Sequence, residues 1–307
     1  MTIAFAFLPI LLTLLCGYVL AVTGTISKEG WKGIETLSFR LLIPAVLIHS
    51  IAKSDLSLDQ ISGMLGAVIA TLCLATLAVF LYRHLRGEAR LPNPDFTTLV
   101  QTTTRWNAFI ALAAAELSLG GEMLVLIAAG MAVLIPLINI GNIIVLAHYG
   151  SAVASIRSVS VQVAKNPLVQ GCVIGLAINL TDISLPDTVL QTLDIIGRAA
   201  IGIGVLTVGA ALSAKRLMHV SGDVIAGVAL RLVLCPALFL GCAQVMQLSS
   251  FETLSGVFIL TVPPATNGYI IAKQMGGNAD LYADILSWQT ILSLIVLPLL
   301  AGVIIGG

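Results

Sequence analysis

Charge is what this sequence has least of. Of 307 residues, 10% are Asp, Glu, Lys or Arg, where a water-soluble domain carries about a quarter. So few charges cannot coat a water-facing surface of this size, and the hydrophobic share of 58% with a mean hydropathy of +1.05 makes lipid the solvent for most of the chain. Formal net charge is zero, which gives no footing for nucleic acid. There is no Walker loop, no HExxH and no GxSxG, so nucleotide-driven pumping and two common hydrolase chemistries lack their motifs, and no cofactor is called for. The five cysteines (Cys16, Cys73, Cys172, Cys235 and Cys242) form no CxxC pair and fall in apolar runs. They read as small buried packing residues rather than as a disulfide framework or a metal site. The first ten residues hold no Lys or Arg. They lack the basic region of a secretory signal and read as the start of a retained first helix.

What is there is a series of apolar runs. A spanning helix needs roughly 20 of them in a row. Ten spans are expected, at about 4–22, 32–53, 61–82, 96–118, 121–147, 166–181, 187–212, 219–246, 252–273 and 281–304. Basic residues in the loops set orientation. The loops after odd-numbered spans hold Lys28, Lys32, Arg83, Arg86, Arg90, Arg157, Lys165, Lys215, Arg216 and Lys273, against Lys53 alone after the even ones. The opposite loops carry acids such as Asp55 and Asp182. The bias makes the odd-numbered loops cytoplasmic and places both termini outside a cell (inner) membrane. Four basic residues remain, Arg40, Arg105, Arg198 and Arg231, each inside an apolar segment. An ionisable group there costs several kcal/mol unless paired or hydrated.

The two halves of the chain match each other. Gly17 precedes Arg40 by 23 residues, Gly175 precedes Arg198 by the same number, and each pair is 158 positions from its counterpart. TRWNAFIALA (104–113) resembles PATNGYIIAK (264–273), setting Asn107 against Asn267 at an offset of 160, and Pro136 against Pro298 follows at 162. Five spans per repeat is an odd number, so the second copy enters the membrane from the opposite side. Such inverted repeats place a site near the midplane, where interrupted helices meet. Spans 4 and 9 are the candidates for interruption. Span 9 contains Pro263 and Pro264 followed by Ala265, Thr266, Asn267 and Gly268; span 4 has Gln101, Thr102, Thr103, Thr104, Arg105, Trp106 and Asn107 at the same depth. Two prolines remove two helix donors, and broken backbone at this depth survives only inside protein or along a wet cavity.

These residues carry a family likeness. Leu42-Ile43-Pro44-Ala45, Arg105-Trp106-Asn107-Ala108-Phe109, Pro136-Leu137-Ile138-Asn139, Lys165-Asn166-Pro167, Pro263-Pro264-Ala265 and Gln289-Thr290 occur in that order along the chain. In them the sequence resembles the auxin efflux carrier (PIN-like) family of membrane transporters, in a bacterial form. The resemblance implies an all-α membrane protein of two inverted five-helix repeats, 1–150 and 151–307. It implies a scaffold from helices 1, 2, 6 and 7, a transport bundle from helices 3–5 and 8–10, and broken helices 4 and 9 that cross. It further implies secondary transport of organic anions, an elevator-like motion and a homodimer. The sequence departs from the family pattern in span 4, where Ala111 to Ala114 stand in place of a proline, and at Gly202 in span 7.

The residues themselves point to an anion. Half-helix N-termini offer partial positive charge and free donors, and Asn107 and Asn267 would sit beside those ends, or serve only as caps. Arg105 adds a guanidinium that can bind a carboxylate through two bonds. Thr104, Thr266 and Trp106 would line the same pocket, and Asn139 and Gln289 would contact it or bridge helices. Pro263, Pro264 and Gly268 would break the helix. Asp194 and Arg198, spaced i,i+4, would form an ion pair or couple transport to a proton. Arg231 has no partner near it in sequence. The expected substrate is a small carboxylate, with a proton or sodium as the co-transported ion. The alternatives are a sodium-coupled symporter of bile-acid type, a non-transporting sensor, a channel, or an intramembrane enzyme. The last would need paired acids or a His or metal cluster at one depth, where only Asp194 is seen.

Overall fold

The computed structural model describes residues 7–53, 58–118, 121–150, 161, 164–181 and 183–306; Asp55, Arg157 and Asp182, which entered the loop argument, lie outside them. Every regular element among the described residues is helical. In chain order these are α1 Leu8–Val22, α2 Lys28–Ala52, α3 Leu58–Arg86, α4 Asn93–Thr104, α5 Ala108–Ser118 and α6 Gly121–Tyr149. They continue with α7 Pro167–Leu180, α8 Asp187–Ala211, α9 Gly222–Val245, α10 Ser250–Thr261, α11 Gly268–Met275 and α12 Ala279–Gly306. Six helical stretches, within α2, α3, α6, α8, α9 and α12, are long and apolar enough to cross a membrane; α1, α7 and α10 are apolar but shorter.

The interior holds a large apolar core, but the outer surface differs from that of a soluble protein. Large apolar side chains point outward along α1 (Leu11, Leu15, Val22), α3 (Leu77, Leu85), α9 (Ile225, Val245) and α12 (Leu299, Val303). Meanwhile α4, the helix richest in threonine, is buried at every position from Phe96 to Thr104. Its hydroxyls are partly satisfied by its own backbone, Thr102 donating to the Thr98 carbonyl and Thr104 to that of Val100. Apolar outside and polar inside is the arrangement lipid selects. It also corrects the reading of the cysteines. All five are free thiols, but only Cys172 and Cys235 are buried, while Cys16 and Cys73 are exposed. A small apolar side chain tolerates a lipid-facing position as well as a core one, so apolar flanks could not separate the two.

The chain divides into two compact units. Unit 1 comprises Met1–Ile61, Ala108–Pro136 and Val161–Leu212; unit 2 comprises Ser62–Asn107, Leu137–Ser160 and Ser213–Gly307. Two of the division points therefore fall between α4 and α5 and at Pro136 within α6. In unit 1, α8 packs on α1, α2 and α5, and α7 packs on α2. Glycines make the approach close. A Cβ at Gly17 would run into the Leu206 backbone, and one at Gly209 into that of Leu14. At Gly175 and Gly171 the approach is tight without overlap, a Cβ falling 3.0–3.3 Å from Ile51, Ile48 and Leu47 at the first and from Pro44 at the second. In lipid, where apolar burial drives little, contacts of this kind supply much of the helix association.

In unit 2, α4 and α10 lie among α9, α11 and α12. Val79, Leu91, Phe96, Leu99, Val224, Leu281 and Ile285 form its core. Two spans contain one wide π-helical turn, Ser38–Leu42 in α2 and Leu230–Leu234 in α9. Both turns immediately precede Ile43-Pro44 or Cys235-Pro236. Proline donates nothing and its ring crowds the carbonyl one turn back. The chain responds with a longer bond: Ile43 N–H donates to Ser38 O, and Cys235 N–H to Leu230 O. Arg40 and Arg231 ride on these turns, Arg40 exposed and Arg231 fully buried.

Candidate functional site at the helix breaks

Span 4 breaks after α4, and span 9 breaks after α10. Both half-helices are 12 residues long. Both leave the helix through an extended residue, Arg105 with φ −70° and ψ 151°, and Val262 with φ −68° and ψ 152°. The reason for the second break is explicit, since Pro263 and Pro264 cannot donate to the turn behind them. The first has no proline. It ends in four polar residues, and the carbonyls it frees must find other donors.

Those carbonyls can be followed one by one. Arg105 N–H donates to Gln101 O at 2.9 Å. Gln289 Nε2 reaches Thr102 O at 3.4 Å and Gly227 O at 2.9 Å. Arg231 Nη1 donates to Thr103 O at 2.9 Å, its Nη2 to Ile259 O at 2.7 Å and its Nε to Val262 O at 3.1 Å. The two breaks bond to each other through Asn107 N–H and Pro263 O, 2.8 Å. Tyr282 donates its hydroxyl to Ala265 O at 2.7 Å. Its ring lies so close to Gly268 that a Cβ there would overlap it. Gly268 is therefore the residue that admits Tyr282, as well as the first residue of α11.

Around this backbone knot stand the polar side chains. Arg105 is buried, 3% exposed, and its Nη1 donates to Asn139 Oδ1 at 3.0 Å. Its Nε and Nη2 have no hydrogen-bond partner among the described residues. Asn139 and Asn142 come from α6 just past Pro136, three residues apart and so on one helix face. Asn142 Nδ2 donates to Thr104 Oγ1 and to Ile138 O, both at 2.8 Å, leaving its Oδ1 without a partner among the described residues. Gln101, Thr103, Thr261 and Gln289 also carry buried polar atoms unpaired among the described residues. An unsatisfied buried polar group costs about 1–3 kcal/mol, so a group of them marks a place built for something polar.

The structure sorts the expected site residues. Arg105, Thr104 and Asn139 converge, with Asn142 beside them. Trp106 and Asn107 are buried next to them in sequence, at 6% and 2% exposure. Thr266 is half-buried and Asn267 is exposed. Asn267 stands at the N-cap of α11 yet makes no side-chain cap bond, so capping does not explain it. Gln289 is a strut between α4 and α9, with one amide oxygen left over. Asp194 and Arg198 belong to unit 1, where Arg198 Nη2 lies 2.7 Å from Asp194 Oδ2. Among the described residues no cluster of three His, Cys, Asp or Glu side chains is placed to hold a metal ion. Sequence reasoning left Arg231 unassigned and passed over Tyr282. No local signal identifies either, because their nearest partners lie 28 and 17 residues away.

Known proteins point the same way. Residues 150–301 match the model of a family described as membrane transport protein. The chain is also 24% identical over 298 residues to an uncharacterized transporter of Methanothermobacter thermautotrophicus, covering 95% of each chain.

Proposed function

We propose that the chain, which matches the membrane transport protein family over residues 150–301, carries a small organic anion, a carboxylate, across the membrane by alternating access. The observation that carries the choice of an anion is Arg105. A guanidinium buried in an apolar protein, with two donors unpaired among the described residues and one neutral partner, is a receptor for two oxygens of one carboxylate. Asn139, Asn142, Thr104 and Asn107 supply neutral polar atoms around it, and Thr266 and Asn267 open α11, whose N-terminal dipole favours negative charge. Nothing acidic is paired with Arg105 among the described residues, so an incoming carboxylate competes with no resident one.

The inverted-repeat architecture, with ten spans and crossed helices, belongs to the same proposal and has specific support. Gly17 of span 1 packs on Leu206 of span 7, and Gly175 of span 6 packs on Ile48 of span 2. Gly17 and Gly175 are 158 positions apart, and so are Ile48 and Leu206. The two contacts thus exchange under the repeat. The ends of α4 and α10 differ by 157 and the starts of α5 and α11 by 160; the three extra residues fall in the break of span 9. Unit 1 holds spans 1, 2, 6 and 7, the expected scaffold, but also residues 108–136 of the expected bundle, and unit 2 holds both helix breaks. The motion proposed is elevator-like or rocking, with a scaffold of helices 1, 2, 6 and 7 and a substrate-bearing bundle of helices 3–5 and 8–10.

The test is uptake by the purified full chain in liposomes, using labelled mono- and dicarboxylates under imposed voltage, pH or sodium gradients. Saturable uptake of a carboxylate, lost in Arg105→Met while the variant stays folded, supports the reading, and the driving gradient names the coupling. Carboxylate uptake that survives Arg105→Met overturns the crossover as the anion site. A folded parent that moves no anion overturns the substrate class.

A further inference from the structure

Arg231 is the most deeply buried charge in the site and touches no carboxylate among the described residues. Its three bonds all go to backbone carbonyls, and those carbonyls share one origin. Thr103 O belongs to the last turn of α4, Ile259 O to the last turn of α10, and Val262 O to the extended residue just beyond it. A helix C-terminus carries about half a negative charge, so two of them facing one guanidinium supply about one full charge of opposite sign. This is how a cation can sit in the interior without an acid. Transporters with broken helices use the same elements, half-helix C-termini and unwound carbonyls, to hold a dissolved cation.

We propose that Arg231 is a tethered cation: its guanidinium occupies the carbonyl cage formed by the C-terminal ends of α4 and α10 and so positions the two breaks for substrate without a dissolved cation in that cage. The role is positioning. Arg231 acts through the backbone that carries Arg105 and Asn107, and its wide π-helical turn, just ahead of Cys235-Pro236, is the local geometry from which it reaches both helix ends. The functional consequence rests on the crossover being the substrate site, but the cage itself does not.

The experiment compares parent, Arg231→Ala, Arg231→Lys and Arg231→Gln as purified full chains, following the thermal unfolding midpoint in choline, sodium and low-millimolar guanidinium chloride at equal ionic strength. In the parent, exchanging sodium for choline leaves the midpoint unchanged. Arg231→Ala lowers it by roughly 10 °C, and guanidinium, but not choline, restores at least half of the loss. Should Arg231→Ala fail to fold, Arg231→Lys folding better than Arg231→Gln supports the proposal. An Arg231→Gln variant as stable as Arg231→Lys overturns it, because neutral donors would then suffice. A folded Arg231→Ala whose deficit is the same in all three salts also overturns it. These readouts need no substrate. A parent that transports no carboxylate but shows selective guanidinium rescue in Arg231→Ala leaves the tethered cation standing and removes the anion reading alone.

Discussion

Replacing Arg105 with methionine separates binding from folding. The guanidinium has one neutral partner, Asn139, at 3.0 Å, and two donors with none among the described residues. A hydrogen bond to a charged group contributes about 1.5–3 kcal/mol. A carboxylate gripped by both free donors would gain about 3–6 kcal/mol, a factor of roughly 10² to 10⁴ in affinity. Arg105→Met should therefore weaken carboxylate binding by at least a hundredfold. Arg105→Lys keeps the charge but loses the fork, and should fall between, roughly ten- to a hundredfold down. Stability should move the other way. The substitution removes an incompletely paired buried charge, and an apolar side chain of similar length in such a place is often neutral or stabilising. The expected result is an unfolding midpoint equal to or above the parent's, together with lost uptake. Both are measured on the same preparation, by thermal unfolding in detergent and by initial uptake rate in liposomes. A variant that binds carboxylate within threefold of the parent would refute the reasoning. So would one that loses stability and uptake together, because Arg105 would then be a structural cation.

Five further substitutions test the surroundings. Gly268→Ala sets a methyl against the Tyr282 ring and should break the Tyr282–Ala265 bond; uptake should drop at least tenfold while the chain still folds, and Tyr282→Phe should reproduce part of that drop. Gly17→Val drives a branched side chain into the Leu206 backbone; because nothing there can yield cheaply, yield of monodisperse protein and the unfolding midpoint should both fall sharply, whereas Gly202→Ala, where a Cβ meets open space, should change neither. Asp194→Asn breaks the ion pair with an Arg198 whose side chain is 78% exposed; uptake and its pH profile should match the parent's, and a shifted profile would make Asp194 a coupling residue after all.

Much of the helical pattern was legible because its signals are local. Twenty apolar residues in a row make a spanning helix whatever surrounds them, and Pro263-Pro264 ends one wherever it occurs. The break in span 4 was legible as a polar run, and its companion in span 9 located it further through the repeat. Exposure was less legible. In water the apolar face of a helix points inward, but in lipid both faces are apolar, so Cys16 and Cys172 look alike in sequence while one is exposed and the other buried. The π-helical turns were also missed as such. Pro44 and Pro236 announce a disturbance one turn back, but whether the helix kinks, ends or widens depends on what its neighbours allow.

Within the site, side chains on or beside the broken helices could be found because the break itself draws attention to them. Arg105 and Asn107 stand in one break, Asn267 in the other, and Asn139 follows a proline. Arg231 could not be read this way. Its partners, Thr103, Ile259 and Val262, are backbone atoms 128, 28 and 31 positions distant, and any residue type can present a carbonyl. The sequence does state the need for it. Two helices that stop inside the protein leave C-terminal carbonyls which must be satisfied there, and a cation with no acid in its neighbourhood is the complementary deficit. Matching intramembrane arginines without a nearby acid to unpaired helix C-termini leaves Arg40, Arg105 and Arg231 as equal candidates and sets aside only Arg198, which has Asp194 one turn away; the contacts with Thr103, Ile259 and Val262 are what select Arg231.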